Sequence, residues 1–530
     1  MHCQHSQVAP NYLPKQMKPQ QLSTDTGDHG PAIGLPARLV RSLPAITAIA
    51  VAVASSVVLT LSGCANSAGI ASTAQTIAPA TVGVDANAAA APTVAADWWR
   101  AFGDSTLNDL VDRALAGNPS LKVAQTRFER AQAAVAGAQA AGGPKVDAEA
   151  DVTRQRFSGN GIFPPPLGDA TFTIGNAQLS ASYDLDFFGR NRAAIEAAVG
   201  AQRAALADTQ AARIMLASNV ARSYVQLGRL FAQREVAVRS LTQRDEILSL
   251  IKQRVQGGLD TTVELRQGEG ALPESRQQIE QLDEQIALAR HALAALTAQA
   301  PDALDKLVVP LRTVQAVPVP GAIPADLLGR RADISAARWR IEAATSDVKN
   351  AKASFYPNIN LSAAIGFNAI GLNHLVNATS EQYSYGPAIT LPIFDAGRLR
   401  ANLRGKTADL DAAIESYNGA VIDAVHDAAD QISSVRSIER QQLQQVSAQA
   451  AAESAYDLAT QRYRAGLGTY LTVLNAEATV LNQRRLAADL KARALDVQIA
   501  LIRALGGGYA ADAKVSGGYA ADAQTAAAGQ

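Results

Sequence analysis

The hydrophobic positions of this chain follow two periods, and its longest segments follow the helical one. Over 191–256 and 399–464, apolar residues recur at spacings of seven, or of four and three, with a break at Arg234. The residues that carry the pattern are Val220, Leu227, Leu241, Leu248 and Val255 in the first segment and Val421, Val425, Ala428, Ile432 and Val435 in the second. This spacing predicts helices with a coiled-coil seam. Each helix would be about 100 Å long, and the many charges along it indicate a tube or stalk in water.

Shorter segments alternate apolar and polar residues, which predicts β-strands. The alternation begins at Val146 and at Ile359, and each strand is followed by a loop and a second strand. The predicted loops are 158–170 and 368–382, and the predicted second strands are about 171–187 and 383–394. The resulting hairpins, 146–187 and 359–394, carry clustered aromatic residues, and strands of ~10 residues are the weak signature of a transmembrane hairpin. Because aromatic residues also suit soluble strands, periodicity alone leaves both interpretations open.

The two halves of the chain repeat each other. Residues 254–269 and 462–477 align at an offset of 208, and Gly189-Arg190 matches Gly397-Arg398 at the same offset. Each half reads helix, strand, strand, long helix, turn, helix. A repeat of about 210 residues is far longer than a solenoid unit of ~20–50 residues, and it suggests a pseudo-symmetric ring or tube.

The duplication predicts the organisation of the chain. We expect a first repeat over 98–300 and a second repeat over 325–506, joined by a Pro-rich linker over 301–324. The remaining predicted helices are 105–142, 262–298, 325–355 and 469–505. Pro273 is expected to kink or interrupt helix 262–298, and the low-complexity tail 507–530 is expected to be disordered.

The N-terminus carries a pattern for export. Residues 1–63 include Arg38 and Arg41, an apolar run, and then Leu61-Ser-Gly-Cys64. A positive flank, an apolar core and small residues before a cleavage point are typical of a signal peptide, although a membrane anchor would have a similar apolar run. Leu-Ser-Gly-Cys resembles the cleavage box of bacterial lipoproteins, in which the cysteine becomes the first residue and is acylated. The resemblance implies a lipid on Cys64, followed by an Ala/Thr-rich tether over 64–97 with little to bury.

Composition and spacing argue against several functions. Lys+Arg and Asp+Glu are equal at 48 each, so no surface for nucleic acid is predicted. Beyond the leader, the histidines are His291, His374 and His426, without the spacing of metal ligands. Asp184 and Asp186 are predicted to share one polar strand face and to line a lumen rather than act as acid and base. We therefore expect no enzyme, and no cofactor other than the covalent lipid.

Taken with the duplication, the hairpins and the lipoprotein box, several motifs make the chain similar to TolC-type outer-membrane efflux channels. The motifs span 98–507 and are Trp98-Trp99…Phe102-Gly-Asp-Ser-Thr-Leu107, Asn118-Pro-Ser-Leu121, Leu185-Asp-Phe-Phe-Gly-Arg190, Leu391-Pro-Ile-Phe-Asp-Ala-Gly-Arg398, Arg462-Tyr-Arg-Ala-Gly466, Tyr470-Leu-Thr-Val-Leu474 and Ala504-Leu-Gly-Gly507. The resemblance is closest to the lipoprotein branch, which serves resistance-nodulation-division pumps. One departure is Arg330-Arg331-Ala332-Asp333, where the branch usually has proline at the third position.

The resemblance implies an α+β membrane protein of the bacterial outer membrane. Its tandem-duplicated protomer would give four strands to a trimeric β-barrel and long coiled helices to a periplasmic α-barrel. Four strands cannot close a barrel alone and unpaired strand edges are untenable in lipid, which agrees with a homotrimer. The implied function is a passive conduit for small amphipathic compounds. Its implied partners are a periplasmic adaptor protein, an inner-membrane pump and outer-membrane lipid.

The resemblance also implies where the conduit closes. Leu471 and Asn475 would form rings in the pore at its periplasmic end, with Asn475 replacing the aspartate that is usual in the branch. Glu264 and Tyr463 would tether the helix pairs to each other. The turns that reverse the long helices would contact the adaptor, and these tip residues are Gly257, Gly258, Leu259, Gly466, Leu467 and Gly468. The plain alternatives are that Leu471 is a core residue and that Glu264 is solvated.

Three other functions compete with this interpretation. A type I secretion channel would share the fold and export polypeptides. An acylated coiled-coil adhesin would explain the helices and the lipid but not the duplicated hairpins. A periplasmic lipoprotein enzyme would need a catalytic constellation, and the sequence has none at a recognisable spacing.

Overall fold

A computed structural model of the protein describes residues 67–83, 94–311 and 329–509. The leader 1–63, Cys64 and most of the linker 301–324 lie outside these residues, as does the tail beyond 509. The elements of the first repeat are α1 (Ser105–Gly117), α2 (Pro119–Ala141), β1 (Lys145–Arg156), β2 (Thr171–Asp184), α3 (Arg190–Gln256) and α4 (Thr262–Leu296). Those of the second are α5 (Ala332–Ala353), β3 (Asn358–Ile370), β4 (Glu381–Thr390), α6 (Arg398–Arg464) and α7 (Tyr470–Ala504).

The segment 105–142, expected as one helix, forms two. Asn118 between them has an extended backbone with ψ at 125°, and Pro119 follows at the start of α2. A residue before proline is disfavoured in the helical conformation, which explains the break. The Asn118 side chain accepts a hydrogen bond from the Ser120 N–H at 2.9 Å and donates one to the Leu296 carbonyl at 2.8 Å. Asn118 therefore caps α2 and ties it to the end of α4.

Pro273 does not interrupt α4, although the sequence suggested that it would kink or break the helix. The helix continues from Thr262 to Leu296. At Gly268, an added Cβ would lie 3.0 Å from Ile251 Cδ1 and 3.1 Å from Leu248 Cδ1 of α3. This close packing just before Pro273 holds α4 against α3 and compensates for the backbone hydrogen bond that proline cannot make.

The strands form one antiparallel sheet in the order β1-β2-β3-β4. Residues opposite each other in the ladder share a face of the sheet, so the register sorts the side chains into two sets. The apolar face includes Val146, Ala181, Ala363 and Tyr385, which lie in one row across the sheet. The polar face includes Asp147, Glu149, Asp151, Asn176, Gln178, Asn368 and Gln382. The second strands end at Asp184 and Thr390, before the predicted 187 and 394.

Two long helices carry the rest of the fold. α3 and α6 have 67 residues each, which makes each about 100 Å long. Toward the helix turns α4 packs on α3 and α7 packs on α6, while α2 and α5 pack on the ends that adjoin the sheet. No helix among the described residues combines the length and the apolarity that a bilayer crossing requires.

The interior consists of separate apolar clusters along the helices. The largest lies near the middle of α3, where Tyr224 and Leu227 pack with Leu293 of α4 and with Trp98 and Phe102. A second cluster, the tip core, lies near the helix turns. Its buried members include Ile251, Tyr456, Tyr463, Tyr470 and Val473.

The tether predicted over 64–97 is packed where it is described. Asp411 of α6 accepts hydrogen bonds from the Ser72 hydroxyl at 2.5 Å and from the backbone N–H groups of Thr73 and Ala74. Asn418, two turns further along α6, accepts from the Ile77 N–H at 2.8 Å. These polar side chains of α6 satisfy the backbone of an otherwise irregular segment, so 67–83 lies along α6 rather than free.

Residues 507–509, predicted to belong to a disordered tail, are packed against the body of the protein; residues 510–530 of that tail lie outside the described residues. Gly507 and Gly508 have positive φ angles of 55° and 80°, and a Cβ on either would overlap neighbouring atoms of Ile214 or of Ala95 and Ala96. The Tyr509 hydroxyl donates to Ser335 Oγ at 2.9 Å. The absence of side chains at the glycines lets this backbone pass between Ile214 of α3 and residues 95–96 of the tether.

Candidate functional site at the helical tip

The two helix turns have the same hydrogen-bond pattern. Leu259 N–H donates to the Arg254 carbonyl, and Leu467 N–H donates to the Arg462 carbonyl, both at 2.8 Å. The residue before each leucine, Gly258 or Gly466, has a positive φ, 72° or 75°, which glycine adopts without strain. This is the Schellman ending of a helix. A leucine in that position usually packs back on the helix, but Leu259 and Leu467 are 68% and 70% exposed.

The helices that leave the two turns begin differently. After the first turn, Asp260 and Thr261 lead into α4. The Thr261 side chain accepts from Val263 N–H and forms a capping box with Glu264. At the corresponding place in the second repeat, Gly468 precedes Thr469, which makes no capping hydrogen bond from its side chain.

The predicted pair of Glu264 and Tyr463 is not formed. The Glu264 carboxylate accepts from its own Thr261, from the backbone N–H at 2.9 Å and from the hydroxyl. The Thr261 hydroxyl is the main cause that lowers the pKa of Glu264. Because these hydrogen bonds at the first turn of α4 satisfy the Glu264 carboxylate, it makes no bond to Tyr463 of α6.

A different acid holds Tyr463. The Tyr463 hydroxyl donates to the Asp260 carboxylate, which also accepts from Arg254 Nε at 2.9 Å and Nη2 at 3.2 Å. Arg254 Nη1 donates to the Tyr463 carbonyl at 3.1 Å, and the guanidinium lies 4.7 Å from the centroid of its ring. Arg254, Asp260 and Tyr463, here called the tip tether, join the α3–α4 turn to α6.

The tip tether changes the acidity of its members. The hydrogen bond from Arg254 is the main cause that lowers the pKa of Asp260, and burial opposes it. Burial, followed by the hydrogen bond to Asp260, raises the pKa of Tyr463. One sequence signal for Asp260 was available, because the duplication places it opposite Gly468. The turn can form with glycine at this position, as it does in the second repeat, so the aspartate is not needed for the turn itself.

The two predicted aperture residues lie on the exposed side of α7. Leu471 is 63% exposed, and Asn475 one turn later is exposed as well. Their neighbours Tyr470 and Val473 are buried in the tip core. Within this protomer Leu471 is therefore not a core residue, and it shares its face of α7 with Asn475.

Next to the tip core, two ion pairs form a layer of buried charge that no sequence pattern predicted. Glu477 of α7 accepts from Arg244 Nε of α3 at 2.7 Å. Arg484, also on α7, donates to Glu453 of α6 at 2.5 and 2.7 Å and to Gln243 Oε1 of α3 at 2.9 Å. The hydrogen bond from Arg484 is the main cause that lowers the pKa of Glu453. This layer links α3 with both helices of the second hairpin.

The middle of the molecule has a wide groove lined by both apolar and charged side chains. It has a volume of about 1710 Å³ and lies between α3, α4, α6 and α7. Its wall includes an ion pair between Arg222 Nε and Asp496 at 2.6 Å, together with Arg229, Asp489 and several glutamines. Its volume is above the roughly 300–1,000 Å³ of ligand pockets, which favours a passage over a pocket for one ligand.

The polar face of the sheet carries a row of hydrogen-bonded side chains, and it includes only one of the two aspartates expected there. Asn176 Nδ2 donates to Asp151 at 3.1 Å, and Gln382 Nε2 donates to Asn176 Oδ1 at 3.2 Å, so a hydrogen-bonded row crosses the sheet. Asp184 lies on this face. Asp186, expected on the same face, lies beyond β2 and accepts from the backbone N–H groups of residues 191 and 192 at the start of α3. It is a helix cap rather than a lining residue.

Comparisons with known proteins agree with this architecture. The model of the family described as outer membrane efflux protein matches residues 110–299 and 323–507, one segment in each repeat. The multidrug resistance outer membrane protein MdtQ of Escherichia coli O6:H1 is 34% identical over 420 residues, which are 78% of this chain and 88% of that protein. The fusaric acid resistance protein FusA of Burkholderia cepacia is 37% identical over 318 residues, 59% of this chain and 60% of that protein.

Solved structures have the same fold. The outer membrane protein VceC of Vibrio cholerae superposes with a TM-score of 0.75 at 36% identity, covering 78% of this chain and all of that one. The prediction of a TolC-type fold, made from the motifs and the duplication, is thereby confirmed. On the family match and the structural likeness together, the chain belongs to the outer membrane efflux protein family of passive efflux channels.

Proposed function

We propose that three copies of this outer-membrane efflux channel close one barrel and one helical tunnel, through which a tripartite pump expels small amphipathic compounds. The observation that carries the proposal is the four-stranded sheet with a polar face and an apolar face, whose edge strands β1 and β4 are each paired on one side only. An unpaired edge is unfavourable in lipid because no water satisfies its backbone groups. Three copies would supply twelve strands, with the apolar faces toward lipid and the polar faces toward a lumen.

The proposed gate lies at the periplasmic tip. Leu471 and Asn475, repeated by three copies, would narrow the pore from the exposed side of α7. The tip tether would keep the α6–α7 hairpin against the α3–α4 turn, because Asp260 binds Arg254 of its own hairpin and Tyr463 of the other. Opening would then require the separation of Tyr463 from Asp260. Because Asn475 is uncharged, closure would depend on apolar contact at Leu471 more than on a ring of charge.

The proposed partners bind at and below this tip. Leu259 and Leu467 expose apolar side chains beside glycine turns, and a periplasmic adaptor would bury them. The adaptor would connect the channel to an inner-membrane pump of the resistance-nodulation-division type. Two relatives are named for multidrug resistance and for fusaric acid resistance. We propose that the cargo of this chain is likewise small amphipathic compounds.

The proposed anchor is a lipid on Cys64. Arg400, near the sheet end of α6, donates to the Ala68 carbonyl at 3.4 Å, so an acylated Cys64 would be held close to the sheet by a short connection. Two or more acyl chains would bind membrane stably. Mass spectrometry of the purified N-terminal peptide is expected to find Cys64 acylated as the first residue. An unmodified Cys64, or cleavage at another residue, would show that the anchor is absent.

Deletion of the gene tests the proposed cargo. We expect the deletion to increase susceptibility to amphipathic antibiotics, and the intact chain to restore resistance when it is supplied on a plasmid. A double variant, Leu259→Asp with Leu467→Asp, should reach the membrane in normal amount but fail to restore resistance, because the adaptor contact is lost. A deletion strain that keeps its drug resistance and loses export of a polypeptide would instead identify a type I secretion channel.

A further inference from the structure

The two loops of the sheet lean toward opposite faces. The second loop, 371–380, covers the apolar face. A Cβ added to Gly175 would lie 2.9 Å from Leu372 Cδ2 and 3.2 Å from Leu375 Cδ2, and Gly175 is opposite Val152 and Ala369 on that face. The leucines of the second loop therefore extend the surface that faces lipid in the proposed barrel.

The first loop, 157–170, leans over the polar face instead. Phe172 is opposite Gln155, and both lie on the face of Asp151 and Asn176. Phe157 continues the ladder, since its N–H donates to the Ala170 carbonyl and its carbonyl accepts from residue 169, both at 3.0 Å. Alternation along β1 places the Phe157 side chain on the same face as Phe172.

A third aromatic side chain brings the middle of the loop onto this face. The ring of Phe163 meets the ring of Phe157 edge-on with centroids 4.8 Å apart, and Phe157 lies 6.2 Å from Phe172. This geometry is the favourable one for aromatic pairs. The three phenylalanines form an apolar cluster at the outer end of the polar face, beyond the row of Thr153, Ile174 and Ile370 and the row of Asp151, Asn176 and Asn368.

The backbone of the loop holds this cluster in one position. A Cβ on Gly168 would lie 2.6 Å from the Phe163 carbonyl oxygen, so the returning limb can pass only because this residue is glycine. Three consecutive prolines, 164–166, restrict φ between Phe163 and Gly168. At the base of the loop Arg156 Nη2 pairs with Asp169 Oδ1 at 2.6 Å.

We infer that the first loop forms a fixed aromatic rim, Phe157, Phe163 and Phe172, which narrows the extracellular mouth and sets a size limit at the exit of the pore. The inference rests on the proposed function, because the polar face lines a lumen only in a closed barrel. Three copies bring three such rims to one opening. The limit is independent of the periplasmic gate, which lies at the other end of the long helices.

Cysteine labelling in intact cells separates the rim from the gate. The chain has two cysteines, Cys3 in the leader and Cys64 at the proposed lipid, so one introduced thiol can be labelled selectively. Ser180→Cys places a thiol on the polar face, opposite Asp147, and Ala181→Cys places one on the apolar face. The probes are a small charged maleimide and a polyethylene-glycol maleimide of several kilodaltons, both added outside the cell.

We expect the small probe to label Ser180→Cys quickly and the large probe to label it slowly. Adding Phe163→Ala, or Gly168→Val as a second way to displace the rim, should raise the rate of the large probe about tenfold, equal to ~1.4 kcal/mol in barrier. The rate of the small probe should not change. Val376→Ala is the matched control, because Val376 is an exposed apolar residue of the second loop, and it should change neither rate.

The outcomes are distinct. Unchanged labelling by the large probe in both rim variants, while the small probe still reacts, would overturn the rim and leave the pore intact. An equal rise for both probes would also overturn it, because it indicates a loosened barrel. Failure of the small probe at Ser180→Cys, with labelling at Ala181→Cys, would contradict the proposed pore itself.

Discussion

At the scale of single residues, the tip tether shows how an arginine keeps a neighbouring carboxylate ionised and hydrogen-bonded over a wide pH range. Asp260 has a lowered pKa because Arg254 and Tyr463 donate to its charged form. A carboxyl whose folded pKa lies below its unfolded value of ~3.9 stabilises the fold above that value, and loses this contribution only as the pH falls through the folded pKa. The tether is therefore insensitive to pH near neutrality.

The lowered pKa of Asp260 leads to a prediction for the gate. Asp260→Asn should raise single-channel conductance in planar bilayers, because an amide binds Arg254 and Tyr463 more weakly than a carboxylate. Tyr463→Phe should have a smaller effect in the same direction. The conductance of the parent channel should not vary between about pH 5 and pH 8, since Asp260 stays ionised there. Glu264→Gln is the control, because Glu264 only caps α4; an opening by this variant with none by Asp260→Asn would refute the tip tether.

A second residue-scale prediction concerns Gly506. Its φ is 105°, and a Cβ there would overlap the carbonyl of Arg330. Gly506→Ala should therefore destabilise the protein by about 2 kcal/mol or more, from backbone strain and displacement of the neighbouring chain. Gly329→Ala, next to Arg330 but with open space at its Cβ, should change stability by less than about 0.5 kcal/mol. Thermal unfolding followed by circular dichroism compares the two, and equal midpoints would contradict the argument.

At the scale of elements, periodicity predicted most of the fold. The helix predicted over 191–256 is found at Arg190–Gln256. A sustained helical period that ends at a glycine turn fixes both the type of the element and its last residue. The break at Asn118 was missed because the helical pattern continues on both sides of it, although Pro119 signals the break in the sequence. In the site, the turns could be predicted from the repeated glycines. The partner of Tyr463 was predicted wrongly, because the Thr261-x-x-Glu264 spacing of a capping box was overlooked; Glu264 bonds to Thr261, and Tyr463 bonds to Asp260.

The layer of buried charge is also an element-scale feature, and it breaks the symmetry of the repeats. Glu477 is buried against Arg244, whereas Glu269, its counterpart at an offset of 208, pairs with Arg266 of its own helix near the surface. Removing one partner of a buried pair leaves the other charge uncompensated, so Glu477→Gln should cost about 3 kcal/mol. Glu269→Gln should cost less than about 1 kcal/mol. Unfolding midpoints of the two variants test this, and a larger loss from Glu269→Gln would contradict the assignment.

At the scale of the whole molecule, the described protomer leaves apolar surface exposed on its long helices as well as at its strand edges. Leu443 and Val446 of α6 are 71% and 70% exposed. They are three residues apart and therefore neighbours on one side of the helix. Apolar pairs on a long helix, together with the unpaired edges of β1 and β4, are what a tube of several copies would cover.

The proposed trimer can therefore be disrupted far from the sheet. The double variant Leu443→Asp with Val446→Asp should keep the helical content of the monomer, because both side chains point away from its core. It should not assemble, since burying two carboxylates between helices costs several kcal/mol per copy. Native mass spectrometry in detergent should find trimers for the parent and monomers for the variant. Gln444→Asp, which adds a charge in the water-accessible groove on the same helix, should remain trimeric. If the double variant also remains trimeric, Leu443 and Val446 face water rather than a second copy.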